Sequence, residues 1–462
     1  MLLKNKLEKM KSFLDSDNVL ANLEERYCYA KDASNLTDSF NIPDLVIFVE
    51  TVEDVQKIMK YAYEHAIPVV ARGAGTNMVG ACVCLGGGIV INFSKMNKIL
   101  EINQTNMYAK VQPGVILGDL KAEVERLNMF YPPDPSNYKV STIGGSIAQS
   151  SGGAKSFKYG TTKDYVLSLK VVTADGTLMT LGAETSKDSV GYHLAQLVVG
   201  SEGTLAIVVE ATLKLIPKPE SKKTVMVYFQ DVKEAVISVN KILANNLYPV
   251  AIDYMDKNSI NTVEEFLSLG LKCDYNCALL LEFEGSVNSL DDDMRKIESL
   301  FLNSNVANMV IPKDDTEAEL LWQARHSSFA AATRLAPDVV SDDIIVPRSN
   351  IAEMILYCEQ LAIKYGIKVC LVGHLGDGNL HPQFVLNLEN DIEFKNYQML
   401  KAEMYAMVKE LGGTISAEHG VGIEKIAYLK NVVDSNAVEY MKLIKKSFDP
   451  LNILNPGKIF NL

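Results

Sequence analysis

The stretch that most constrains this chain is Val372–Pro382, which reads VGHLGDGNLHP. A β-rich run, Ile367–Gly373, leads into it, and Phe384-Val-Leu386 leads out. Asp377-Gly378 between them favours a two-residue type I′ turn, because both central residues need positive φ. The spacing predicts an antiparallel hairpin in which Leu375 faces Leu380 and His374 faces His381. Two imidazoles directly opposite on one sheet face have Cβ atoms roughly 4.5–5.5 Å apart. That separation lets them share one metal ion, and a plain cross-strand pair at the surface has the same spacing. The chain holds six histidines, and a third, His419, follows Glu418 in Ala417-Glu-His-Gly-Val-Gly422. A His/His/Glu set suits a divalent cation such as zinc, manganese or iron.

With 462 residues the chain is long enough for two or three domains. A hydrophobic content of 48% against 22% charged residues describes a folded, soluble protein. Net charge is −12 and no basic block stands out, which argues against nucleic acid and anionic membrane surfaces as partners. The seven cysteines are odd in number and none forms a CxxC pair. They read as reduced thiols in a cytoplasm, not as a disulfide framework or an iron–sulfur ligand set. The N-terminal MLLKNKLEKMKSFL lacks the apolar core of a signal peptide, and no apolar run reaches the ~18 residues of a membrane span.

Two glycine-rich stretches mark the first half. Thr51-Val-Glu-Asp54 resembles a capping box and opens a helix to about Ala66. The strand Ile67–Ala71 then runs into Arg72-Gly-Ala-Gly-Thr-Asn-Met-Val-Gly80. A strand feeding a glycine loop brings backbone N–H groups close to a phosphate; a simple tight turn is the other reading. Ser141–Gly153 consists of small residues throughout, which lets the backbone wrap a large flat cofactor or serve as a linker. Strands at Leu167–Thr173 and Gly176–Leu181 follow closely, and Pro217-Lys-Pro219 looks like a domain boundary. Beyond it strands and helices mix in an α+β pattern.

Taken together, these residues resemble the FAD-linked oxidases of the vanillyl-alcohol oxidase superfamily, with their PCMH-type FAD-binding domain. They resemble more closely the branch of glycolate oxidase D-subunits, D-lactate dehydrogenases and D-2-hydroxyglutarate dehydrogenases. The resemblance runs from about residue 40 to 460. RGAGTNMVGA (72–81), YPPDPS (131–136), STIGGSIAQSSGG (141–153), GSEGTL (200–205), GHLGDGNLHP (373–382), AEHGVG (417–422) and NPGK (455–458) carry it. It implies an α+β fold: a two-part FAD-binding domain over 1–219, a cap or substrate domain with an antiparallel sheet over 220–419, and a segment 420–462 returning to the FAD domain.

By the same resemblance, Arg72, Gly73, Ala74, Gly75, Thr76 and Asn77 form the loop under the FAD pyrophosphate. Pro133, Asp134, Ser141, Gly144, Gly145, Ser146, Gly152 and Gly153 line the flavin and ribityl chain. Glu202, Gly203 and Ile207 hold the adenosine side, and Asn455 reaches the ring. His374, His381 and Glu418 ligate the metal, His419 is the base, Arg325 takes the substrate carboxylate, and Asn379 hydrogen-bonds substrate. Relatives carry Asn where Ser146 and Ser150 stand, and glycine where Ala206 stands. Arg72–Gly80 has no histidine for a covalent flavin bond, so the FAD is expected to be non-covalent.

The implied reaction oxidises a D-2-hydroxy acid of the lactate or glycolate class to the 2-oxo acid. The chain carries no iron–sulfur or haem motif of its own, so electrons go to an acceptor. An electron-transferring flavoprotein or an iron–sulfur subunit is the expected one, and a homo-oligomer is left open. Two other classes fit the superfamily: an alkyl-glycerone-phosphate-synthase-like FAD transferase, and a non-catalytic flavoprotein subunit.

Overall fold

The computed structural model describes residues 7–10, 12, 16–35, 41–302 and 306–462. Most of the N-terminal run discussed above lies outside them. The chain divides into two compact units. The first comprises Met1–Gly152, Thr161–Lys218 and Glu418–Leu462; the second comprises Gly153–Gly160 and Pro219–Ala417. Residues 153–160 therefore fold with the second unit, and Glu418 and His419 with the first.

The first unit opens with a parallel crossover. Leu45–Phe48 and Val69–Arg72 both run parallel to Ile89–Asn92, which lies between them, and Val19–Leu20 adds antiparallel at the edge. The linking helix is Val52–His65, and its start is the capping box read from sequence: Thr51 Oγ1 accepts from the Asp54 N–H at 3.2 Å, and Asp54 accepts from Thr51 N–H at 3.1 Å. Val55, Ile58, Met59 and Ala62 recur at helical spacing and bury one face against Leu45, Ile47, Val69 and Ile89. Because the strands are parallel, Arg72 and Asn92 end side by side, and the glycine loop departs from that edge. Outside the carboxyl ends of parallel strands is where α/β sheets place ligands. A second, antiparallel sheet follows the order Ile99–Asn103, Tyr108–Val111, Ile207–Lys214, Val166–Val172, Leu178–Gly182.

The second unit is built on one antiparallel sheet. Its order is Asn308–Val310, Ser221–Phe229, Cys277–Gly285, Ala251–Asp256, Lys368–His374, Asn379–Leu386 and Asp338–Ser341, and Ile344–Ile345 also pairs with Asn379–Leu386. Fully buried Val225, Leu279, Leu281 and Leu371 sit on its central strands. Residues 153–160 are fastened to it by Lys155, which pairs with Glu282 at 2.8 Å and with Glu284, and by Tyr159 Oη, which donates to Glu284 at 2.8 Å.

The histidine hairpin forms, but in another register. His374 pairs with Asn379, and His381 with Val372. The connection is the four residues 375–378, and His374 O accepts from both Asp377 N–H and Gly378 N–H at 3.1 Å. Only Gly378 has positive φ (+89°), whereas a type I′ turn needs two such residues. Tertiary pairing outweighs the dipeptide's local preference: Ile344 and Ile345 pair with Leu380 and Asn379, and Val346 N–H donates to Gly378 O at 3.1 Å. An even offset keeps both histidines on one sheet face.

Candidate functional site

In the first unit the glycine loop, the small-residue run and the start of the C-terminal segment surround a cleft with about 1280 Å³ of empty space. Arg72, Gly73, Ala74, Gly75, Thr76 and Asn77 line it, as do Ser141, Gly144, Gly145, Ser146 and Gly152. Glu202, Gly203, Ile207, Glu418 and His419 complete that set. The loop lies tight against its neighbours: a Cβ on Gly73 would stand 2.1 Å from Thr142 Oγ1. Thr142 in turn caps the helix Ile143–Gln149 by accepting from Gly145 N–H at 3.2 Å.

Pro133, Asp134, Gly153 and Asn455 are not among the lining residues. Lys121 Nζ holds the Pro133 carbonyl at 2.8 Å and the Asp134 carboxylate at 3.1 Å. Gly153 belongs to the second unit. Asn455 Nδ2 is used up within the first unit, donating to Ala81 O at 2.7 Å and Glu202 O at 2.6 Å. Glu202 is likewise a clamp: its carboxylate accepts from Val421 N–H at 2.7 Å and Gly422 N–H at 2.8 Å. Burial pushes this carboxyl up to about 7 against the pull of those two N–H groups. Asn77 Nδ2 donates to His419 O at 3.1 Å, so the glycine loop and the Glu-His-Gly run are tied directly.

In the second unit one buried carboxylate organises the charged groups. Asp253 Oδ1 meets His374 Nδ1 at 2.8 Å, and Oδ2 stands 2.8 Å from Arg325 Nε, a close ion pair set off the N–H axis. Burial by itself would raise the Asp253 carboxyl, but the His374 ring and the Arg325 guanidinium beside it hold it below its ordinary value. His381 is the diagonal neighbour, its ring centroid 5.3 Å from that of His374 and its plane at 81°. Asp343 forms the other wall. It accepts from Asn379 Nδ2 at 2.8 Å, Ser416 Oγ at 2.8 Å and Ala417 N–H at 2.9 Å, and lies 3.9 Å from His381 Nδ1. Asn379 also donates to Ile344 O at 2.9 Å. With its amide nitrogen so occupied, it is a framework residue whose carbonyl oxygen alone can serve a ligand.

The donor chemistry of both regions suits bound groups. Ser141 Oγ, Ser146 Oγ and Gln149 Oε1 are buried on the cleft without a hydrogen-bond partner among the described residues, which suits a polar cofactor lying there. With the N–H of a neutral ring on Nδ1 facing Asp253, His374 carries its lone pair on Nε2, an arrangement also found on metal-binding histidines.

The matched domains decide the family. Residues 43–182 match an FAD binding domain, and residues 218–459 match the FAD linked oxidases, C-terminal domain. The chain belongs to the FAD-linked oxidase family. It is 41% identical to the glycolate oxidase subunit GlcD of Bacillus subtilis over 435 residues, 94% of this chain and 92% of that one. It is 35% identical to a D-lactate dehydrogenase of Anaerostipes hadrus, covering 90% and 89%. Among solved structures, p-cresol methylhydroxylase superposes with a TM-score of 0.82 over 99% of this chain and 97% of that one. At 16% identity that likeness is one of fold, of the PCMH type.

Asp253 and Asp343 were not anticipated from sequence, nor was Gln149. For Asp253 a signal existed: a lone carboxylate among Ala251, Ile252, Tyr254 and Met255 in a strand must have a buried partner. Asp342-Asp343 before Ile344-Ile-Val346 carries the same signal. No helix among the described residues is long and apolar enough to cross a membrane.

Proposed function

We propose that this FAD-linked oxidase oxidises a small D-2-hydroxy acid, of the glycolate or lactate class, to the 2-oxo acid. The names of its relatives support the substrate class. The observation that carries the reading is the meeting of Arg325 and His374 on the Asp253 carboxylate, with the His381 ring beside that of His374: a guanidinium near a two-histidine donor set. When bound, non-covalent FAD would supply the hydride acceptor, and a divalent zinc, manganese or iron ion would supply polarisation of the substrate hydroxyl.

The chain's own residues have separate tasks. Arg325 grips the substrate carboxylate, for which a guanidinium offers paired donors. His374, His381 and Glu418 are the residues that would hold the ion. His419, which lines the cleft, accepts the hydroxyl proton. Ser141 and Ser146 offer hydroxyls to the cofactor in the cleft. Electrons then leave to a partner acceptor, an electron-transferring flavoprotein or an iron–sulfur subunit; the word subunit in the name of the Bacillus relative favours a protein partner. All seven cysteines are free thiols, which suits a reducing cytoplasm.

The test is anaerobic bleaching of the flavin by a panel of D- and L-2-hydroxy acids, with and without prior chelation. Bleaching by a D-acid that chelation abolishes is the expected result. Bound FAD that no member bleaches overturns the reading.

A further inference from the structure

We propose that Asp253 is a positioning residue that joins the metal ligand to the substrate-binding arginine, so that one carboxylate sets both metal retention and substrate affinity. The inference rests on the roles proposed above for His374 and Arg325. Asp253 is the third residue of the strand Ala251–Asp256, paired across the sheet with His374 on one side and Leu280 on the other. It is 1% exposed, and Ile252 and Tyr254 beside it are as deeply buried. A carboxylate in such a strand is tolerated only with charged or donating partners on its oxygens. It has one on each: His374 Nδ1 on Oδ1 and Arg325 Nε on Oδ2, both at 2.8 Å.

Each contact has a consequence. The His374 contact places the N–H on Nδ1 and makes Nε2 the ligating atom, a more basic one because the ring leans on an anion. The Arg325 contact holds the guanidinium at its Nε. That leaves the end-on pair of nitrogens as the edge a substrate carboxylate would meet. Both partners are donors, so only a group with two acceptor oxygens serves both. An asparagine has one acceptor oxygen and one NH₂, and in either orientation it sets a donor against a donor.

Asp253→Asn in the full-length flavoprotein is the test, read by zinc and manganese competition with a chromophoric chelator, by flavin absorbance, by thermal midpoint and by kcat and KM separately. Metal affinity should fall about 10–100-fold, as it does when other hydrogen-bond partners of a metal-binding histidine are lost. KM should rise with it, and the flavin absorbance should be unchanged. Wild-type metal affinity and KM in this variant, with or without a lower midpoint, would overturn the inference and leave Asp253 a structural residue. If the variant does not fold, Arg325→Met replaces it. Losing the guanidinium leaves the full carboxylate charge on His374, so metal affinity should shift several-fold although Arg325 is no ligand; an unchanged affinity overturns the coupling. A wild-type protein that binds no metal in the same competition refutes the proposed metal site itself, a separate result.

Discussion

His374 and His381 share one face of their hairpin, two residues out of step, with ring planes 81° apart and centroids 5.3 Å apart. The diagonal arrangement matters because it turns two rings edge to face. Their nitrogens can then converge on one ion without the rings stacking. His381→Ala keeps the strand and removes one donor. We expect FAD to stay bound and turnover with a D-2-hydroxy acid to fall by about 10²-fold or more, since polarisation by a metal supplies several kcal/mol. Flavin absorbance and steady-state rates check this; an unchanged rate refutes the two-histidine site.

Arg325→Lys tests the guanidinium. A lysine keeps the charge but loses the planar fork, and it approaches Asp253 as a single point. The expected effect is a fall in kcat/KM of about 10–100-fold, the worth of a charged hydrogen bond, carried mostly by KM. Kinetics with glycolate and D-lactate measure it.

In the glycine loop, Gly75 has φ +74°, and a Cβ there would stand 2.2 Å from Arg72 Nη2. Gly75→Ala therefore strains the backbone and displaces the arginine that lines the cleft. The left-handed conformation costs a residue with a side chain about 1–2 kcal/mol. FAD affinity should fall roughly tenfold, seen as flavin fluorescence released on dilution.

Glu202 makes stability depend on pH. Burial raises its folded pKa to about 7, above the ordinary 4.5. Its contribution is thus complete below about pH 4.5 and is lost as pH rises through 7, because the folded state must then carry a buried charge. The difference corresponds to roughly 3 kcal/mol. Denaturant unfolding of FAD-free protein should show this decline, and Glu202→Gln should flatten it. An equal slope in both proteins would refute the assignment.

Lys155 is the cation for two carboxylates, Glu282 and Glu284, whose side chains are 4% and 5% exposed. Burial raises the Glu282 carboxyl, and Lys155 pulls it down. Lys155→Met removes the cation that both carboxylates share and should cost about 3–5 kcal/mol in unfolding free energy. Adding Glu282→Gln should recover part of the loss, which chevron or equilibrium urea curves would show.

What the sequence alone determined is local or repeated in many short motifs. The Thr51 capping box and the glycine loop after Val69–Arg72 depend on neighbours in the chain, and they form where their residues predict. The FAD-linked oxidase family was legible because seven motifs occur in order over most of the chain. Tertiary structure decided the rest. The hairpin register followed the pairing of Ile344-Ile345 with Asn379-Leu380, not the Asp377-Gly378 turn. Asn379 and Asn455 spend their amide donors on carbonyls and a carboxylate far away in sequence. Asp253 gained its role only when the sheet set it beside His374 and the helix Asp315–His326 brought Arg325 to its second oxygen. The physical reason is common to all three. A buried polar group must find its partner wherever the fold provides one, and that partner's distance along the chain leaves no pattern in the sequence.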